Sequence, residues 1–218
     1  MIPLRDVIPS RTVPYLTVSI IILNALAWFY ELGLPREDLP VFLQQFGVVP
    51  AYFAPPTLIS SMFLHGSWSH VLGNMWYLWI FGDNVEDRMG HFRFLIFYLL
   101  CGIAAAFGQI FNDPTSTLPT IGASGAIAGV MGAYFVLYPQ SRVLTLIPLI
   151  IFWEIVELPA IFLLGFWFLM QLFSAGAIAA TANSQSGGVA FMAHVAGFIT
   201  GLVSVFVFRK REPDTRWV

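Results

Sequence analysis

A few residues able to do chemistry stand out because their surroundings have almost none. Ser124 lies in "GASGAIAGVMGAY", residues 122–134, and His194 in "MAHVAGFITG", residues 192–201. His70 and Asn74 lie in "SHVLGNMWYLW", residues 69–79. A serine hydroxyl within about 2.6–3.2 Å of an imidazole is a nucleophile paired with its general base. If Ser124 opens a helix, the first backbone N–H groups there lack intrahelical acceptors and can stabilise an oxyanion. His70 and Asn74, spaced i and i+4, face the same way and are further donors to it. Taken singly, each has a simpler reading. Ser124 could bond its own backbone, a membrane His or Asn could only tie two helices together, and Gly125, Gly129, Gly132, Gly197 and Gly201 could serve packing alone.

The elements that must position these groups follow from composition. Of 218 residues, 58% are hydrophobic and 10% charged, against about 25% charge in a soluble domain. The class is an all-α, polytopic membrane protein, read as a single domain over 1–218. A net charge of −2 gives no indication of a nucleic-acid partner; the partner is the lipid bilayer. The lone cysteine, Cys101, sits in an apolar run with no metal-ligand spacing around it, so it reads as a small buried hydrophobe. No metal is expected.

A crossing helix needs about 20 apolar residues. Six runs qualify: about 13–30, 68–82, 92–111, 122–138, 158–177 and 190–208. The first follows Arg5 and Arg11, as in a signal peptide, but it is as long as a span and lacks a small-residue cleavage site. Residues 31–67, rich in Pro and aromatics, read as an interfacial connection. Residues 143–157, "VLTLIPLIIFWEIVE", read as a second interfacial segment, with a partial seventh span as the alternative. Basic residues set the orientation. With the N-terminus inside, nine of the ten (Arg5, Arg11, Arg88, Arg93, Arg142, Arg209, Lys210, Arg211, Arg216) lie on the inner side and only Arg36 outside. Both termini are therefore expected in the cytoplasm. The second, fourth and sixth helices all then run inward. His70, Asn74, Ser124 and His194 share one depth, just below the outer surface. Intramembrane polar residues are costly and mark function by default. At about 100° per residue, Gly197 and Gly201 lie on the His194 face of their helix, which suits close approach of the serine helix.

With these motifs in place, the chain resembles the rhomboid family of intramembrane serine proteases. The matching stretches are "GASG" around Ser124, "AHVAGFITG" around His194, "HVLGN" with His70 and Asn74, and "GDNVEDRMG" with Gly82, Glu86 and Gly90, read as the loop after the second helix. The resemblance runs over nearly the whole chain. It implies a six-helix bundle in the cell membrane, a Ser124–His194 dyad without an acid, and no cofactor. It also implies an oxyanion hole of His70, Asn74 and the Ser124 N–H, and single-span transmembrane proteins as substrates, cut near the outer face. Gly122, Gly125, Glu86, Gly197 and Gly201 are expected in structural roles. Two departures stand out. The first loop lacks the Trp-Arg pair of many rhomboids. Ala128 also stands where some carry an aromatic that packs on the catalytic histidine.

Two other readings compete. One is a catalytically inactive rhomboid-like protein that binds membrane clients, although such relatives typically lack the serine or the histidine. The other is a small transporter, for which inverted repeats and mid-membrane breaks are the marks; neither is visible. For substrate access, the expected gate is the fifth helix with the uncharged loop 181–191. Phe166, Trp167, Phe168 and Phe173 would wedge against Trp76 and Trp79 on the second helix.

Overall fold

The computed structural model of the protein describes residues 1–148, 152–181 and 190–210. In chain order the elements are β1 (Ile2–Asp6), α1 (Tyr15–Gly33), α2 (Leu39–Phe46), α3 (Thr57–Ser60), α4 (Trp68–Met89), α5 (His91–Asn112), α6 (Ser124–Leu137), β2 (Arg142–Pro148), β3 (Trp153–Pro159), α7 (Ala160–Thr181) and α8 (Phe191–Phe208). Among the described residues four helices, α1, α5, α7 and α8, are long and apolar enough to cross a membrane. With α4 and α6 they make a polytopic helical bundle.

α6 is the centre of that bundle. Every residue from Gly125 to Tyr134 is buried, and α8, α5 and α4 pack around it. A helix apolar on all sides has no face to offer water, so full enclosure follows from its composition. Its partners approach closely because small residues line the contacts. A Cβ on Gly197 would collide with the Gly125 carbonyl, and one on Gly201 with the Gly129 carbonyl.

α4 runs seven residues further than the sequence suggested. "GDNVEDRMG" is not a loop: Gly82 and Glu86 lie within α4, and only Gly90, at φ +79°, ends it. The polar turns stay helical because their side chains serve neighbouring segments. The Glu86 carboxylate accepts the backbone N–H groups of Leu16 (2.9 Å) and Thr17 (2.8 Å), free donors in the first turn of α1. Asp87 accepts the N–H groups of Arg11 (2.5 Å) and Thr12 (3.0 Å), and also bonds the Thr12 hydroxyl.

The described part of 143–157 is not a partial span. Residues 143–148 and 153–157 fall in strands β2 and β3, which pair antiparallel from Arg142↔Pro159 to Pro148↔Trp153. β1 joins the other edge of β2, with Ile2 opposite Leu146 and Asp6 opposite Val143, giving the order β1-β2-β3. The reason is the period of the side chains: Val143 and Thr145 are buried while their neighbours are not, and β-branched residues suit a pleated surface. The sheet is tied to the bundle. The Trp76 indole N–H donates to the Pro3 carbonyl (2.7 Å), while Asn84 Nδ2 (2.9 Å) and the Tyr134 hydroxyl (2.7 Å) both donate to Asp6 Oδ2. Burial raises the Asp6 carboxyl above its usual range, partly offset by the Tyr134 bond.

Candidate active site

The helix that opens with Ser124 is shorter than a membrane crossing. Its 14 residues span about 21 Å, against about 30 Å of hydrocarbon. The chain leading into it rests on a scaffold from the segment 31–67. Val48 and Thr120 exchange N–H···O=C bonds of 3.0 and 2.8 Å, and the Ala51 N–H donates to the Ser116 carbonyl (3.0 Å). The Gly122 N–H donates to the Ser61 carbonyl (2.8 Å). Gly122 then turns at φ +119°, a region that favours glycine, and a Cβ there would press on His70 Nε2. The chain enters α6 two residues later at Ser124.

His194 is one turn into α8 and buried. Its Nε2 lies 2.8 Å from Ser124 Oγ, inside the range that general-base contact requires. The two side chains face a cavity of about 850 Å³, also lined by His70, Asn74, Tyr77 and Trp167. His70 and Asn74 project into it from α4, whose start is capped by Ser67 Oγ accepting the His70 N–H (3.2 Å). The four polar residues singled out in the sequence therefore meet in one cavity. Gly122 borders them, Gly125, Gly197 and Gly201 sit in the contact of α6 with α8, and Glu86, on α4, lies apart and bonds the first turn of α1.

Three residues of this site were not assigned to it from the sequence. His65 is fully enclosed, and its Nε2 lies 3.0 Å from Asn74 Nδ2. The amide nitrogen can only donate, so His65 accepts and holds the Asn74 amide in place. Burial, with the neighbouring His70, pushes the His65 imidazole down to about 4, keeping it neutral and able to accept. The His65 backbone N–H donates to the Glu31 carboxylate (3.2 Å), one of several ties that hold the first connection without a Trp-Arg pair. Trp28 meets Trp68 edge-on at 5.5 Å, and Ser60 Oγ donates to the Phe46 carbonyl (2.7 Å).

The second and third are Trp167 and Gln171, on α7. The Trp167 ring packs 5.7 Å from the His194 ring at 38°. It occupies the role that Ala128 leaves empty. Gln171 Oε1 lies 2.7 Å from His194 Nδ1. Their i, i+4 spacing, which puts both on one helix face, was the available signal. The wedge expected between α7 and α4 does not form in this way. Trp167 and Phe168 pack on Phe198 of α8, at 6.2 and 4.7 Å, while Phe166 and Phe173 face outward. Most of the loop expected to move with α7, residues 182–189, lies outside the described residues.

Residues 55–211 match the Rhomboid domain. The chain belongs to the rhomboid family. It is 28% identical over 198 residues to Rhomboid-like protein 11, chloroplastic, of Arabidopsis thaliana, covering 86% of this chain and 66% of that protein. It is 32% identical over 92 residues to Rhomboid protein 1, mitochondrial, of Saccharomyces cerevisiae, covering 40% and 27%. A third relative, Rhomboid protease GluP of Bacillus subtilis, is 38% identical over 85 residues, covering 39% and 16%. The matches thus span from 66% down to 16% of the relatives' lengths. As a rhomboid, the chain is a multi-pass membrane protein of a family that includes serine proteases. Its Ser–His contact lies within the matched region.

Proposed function

We propose that the protein is an intramembrane serine endopeptidase that cleaves single-span membrane proteins by a Ser124–His194 dyad. The observation that carries this reading is the 2.8 Å contact between Ser124 Oγ and His194 Nε2 in a cavity that also presents His70 and Asn74. Ser124 Oγ attacks the scissile carbonyl carbon as its proton passes to His194 Nε2. The carbonyl oxygen becomes an oxyanion, met by the Ser124 N–H, His70 and Asn74. Collapse breaks the C–N bond, and the leaving amine takes the proton from Nε2. Water, deprotonated by the same nitrogen, then attacks the acyl carbon; the C–O bond to Ser124 breaks and Oγ takes the proton back from Nε2, releasing the acid. Every proton is carried by protein or solvent, and the reaction needs no cofactor.

In a cell membrane, the asymmetry of the basic residues supports both termini in the cytoplasm and the dyad toward the outer leaflet. The test is cleavage of a fluorogenic single-span peptide by purified protein in lipid vesicles. Wild type is expected to cleave it, and Ser124→Ala to be inactive with an unchanged melting temperature. Wild-type protein that binds the peptide without cutting it would instead support a client-binding rhomboid.

A further inference from the structure

We infer that Gln171 is a positioning residue of the dyad, setting the tautomer and orientation of His194; this rests on the endopeptidase reading above. α7 is otherwise apolar around this position, with Met170 before Gln171 and Leu172 and Phe173 after it. An amide on a membrane helix is costly unless it finds a partner. Gln171 spends its carbonyl oxygen on His194 Nδ1, at 2.7 Å. That oxygen carries no proton, so the proton between them belongs to Nδ1. A neutral imidazole protonated at Nδ1 has a bare lone pair on Nε2, the nitrogen 2.8 Å from Ser124 Oγ. The serine hydroxyl then donates to the atom that must take its proton. With the opposite tautomer, Nε2 would carry a hydrogen toward Oγ and could accept nothing.

During acylation Nε2 gains the serine proton and Nδ1 keeps its own. The Gln171 oxygen stays hydrogen-bonded to the imidazolium and gains strength as charge develops. No proton reaches Gln171 at any step, so its contribution is orientation and polarisation, the part an acid plays in a three-residue relay. Trp167, one turn earlier on the same face, limits the ring's tilt. The two groups that hold the base are thus supplied by α7, the least buried of the four apolar spans.

Two substitutions separate this role from packing. Gln171→Met keeps the length and removes the acceptor; Gln171→Glu keeps an acceptor oxygen. The assay is the same fluorogenic peptide with full-length protein in vesicles at pH 8. Gln171→Met is expected to lower kcat about 10-fold, the loss of one hydrogen bond to the base, with KM and melting temperature as in wild type. Gln171→Glu is expected to recover most of that loss. Wild-type kcat in Gln171→Met, or an equal loss in both variants, would overturn the assignment. An independent measurement uses protein labelled with 15N-histidine in nanodiscs. Wild-type His194 is expected to show a protonated Nδ1 and an unprotonated Nε2, and the reverse tautomer would also overturn it. The spectrum needs no turnover. An inactive wild type therefore refutes the endopeptidase reading while leaving Gln171 separately tested.

Discussion

The Glu86 carboxylate accepts the Thr17 backbone N–H at 2.8 Å and the Thr17 hydroxyl at 2.7 Å, across 69 positions of sequence. The other oxygen accepts Leu16 N–H and sits 2.5 Å from His91 Nδ1. One buried side chain therefore caps α1, fastens it to α4 and reaches the start of α5. Glu86→Ala would leave two first-turn donors of α1 unpaired inside the bundle. The expected loss is about 3 kcal/mol, from charge-assisted bonds worth about 1.5–3 kcal/mol each, read as a lower melting temperature in detergent. Glu86→Gln, which keeps an acceptor, should fall between. A melting temperature unmoved by either variant would refute the capping role.

His65 gives the fold an acid-sensitive joint. Its imidazole titrates at about 4 in the folded protein and at 6.5 when unfolded. Between these values the unfolded chain binds more protons, so stability rises with pH across the window. The contribution is fully present above 6.5 and is lost as the pH falls toward 4. Protonation also removes the acceptor that holds Asn74. His65→Gln keeps an acceptor and does not titrate. Its melting temperature should fall less steeply than that of wild type between these two pH values; parallel curves would contradict the assignment.

The contact of α6 with α8 leaves no room at Gly201, where a Cβ would meet Gly129 backbone atoms. Gly201→Val should cost about 1–3 kcal/mol or more, the usual range for overpacking, and activity should fall with it because Ser124 and His194 stand on these two helices. Gly176→Ala is the control, since a Cβ there meets nothing within 4 Å. Equal melting temperatures for the two variants would show that the interface yields.

The outward aromatics of α7 separate two ideas about access. Phe166 and Phe173 are 50% and 72% exposed and make no ring pair with α4 among the described residues. Trimming the more exposed of them breaks no such ring pair, so Phe173→Ala should cleave the single-span peptide at the wild-type rate in bilayers. Trp167→Ala, by contrast, removes the ring against His194 and should lower kcat. Acceleration by Phe173→Ala would restore the wedge.

The sequence by itself determined the membrane class and the polar groups of the site. Ser124, His194, His70 and Asn74 were legible because a polar side chain on an apolar helix is expensive and so conspicuous, and because local spacing fixes which face of a helix each one shares. The glycines of α8 were legible for the same reason, since helical phase is a local property. α4 and α6 fall outside the set of long apolar spans, and they carry Ser124, His70 and Asn74: one helix is the more polar and the other is short.

Tertiary structure decided what local periodicity does not encode, namely which helix stands beside which. Gln171 could have faced lipid, another helix or water; only the placement of α7 against α8 put its oxygen on His194 Nδ1. His65 precedes α4, outside the helical register that linked His70 to Asn74, and meets Asn74 only through the fold of the preceding segment. The alternation of Val143 and Thr145 was present in the sequence but masked by the segment's overall apolarity. The pairing of β2 with β1, some 140 positions away, is a non-local bond pattern. Backbone hydrogen bonds carry no side-chain signature, so a strand's partner is chosen when the helices bring two extended segments to the same edge.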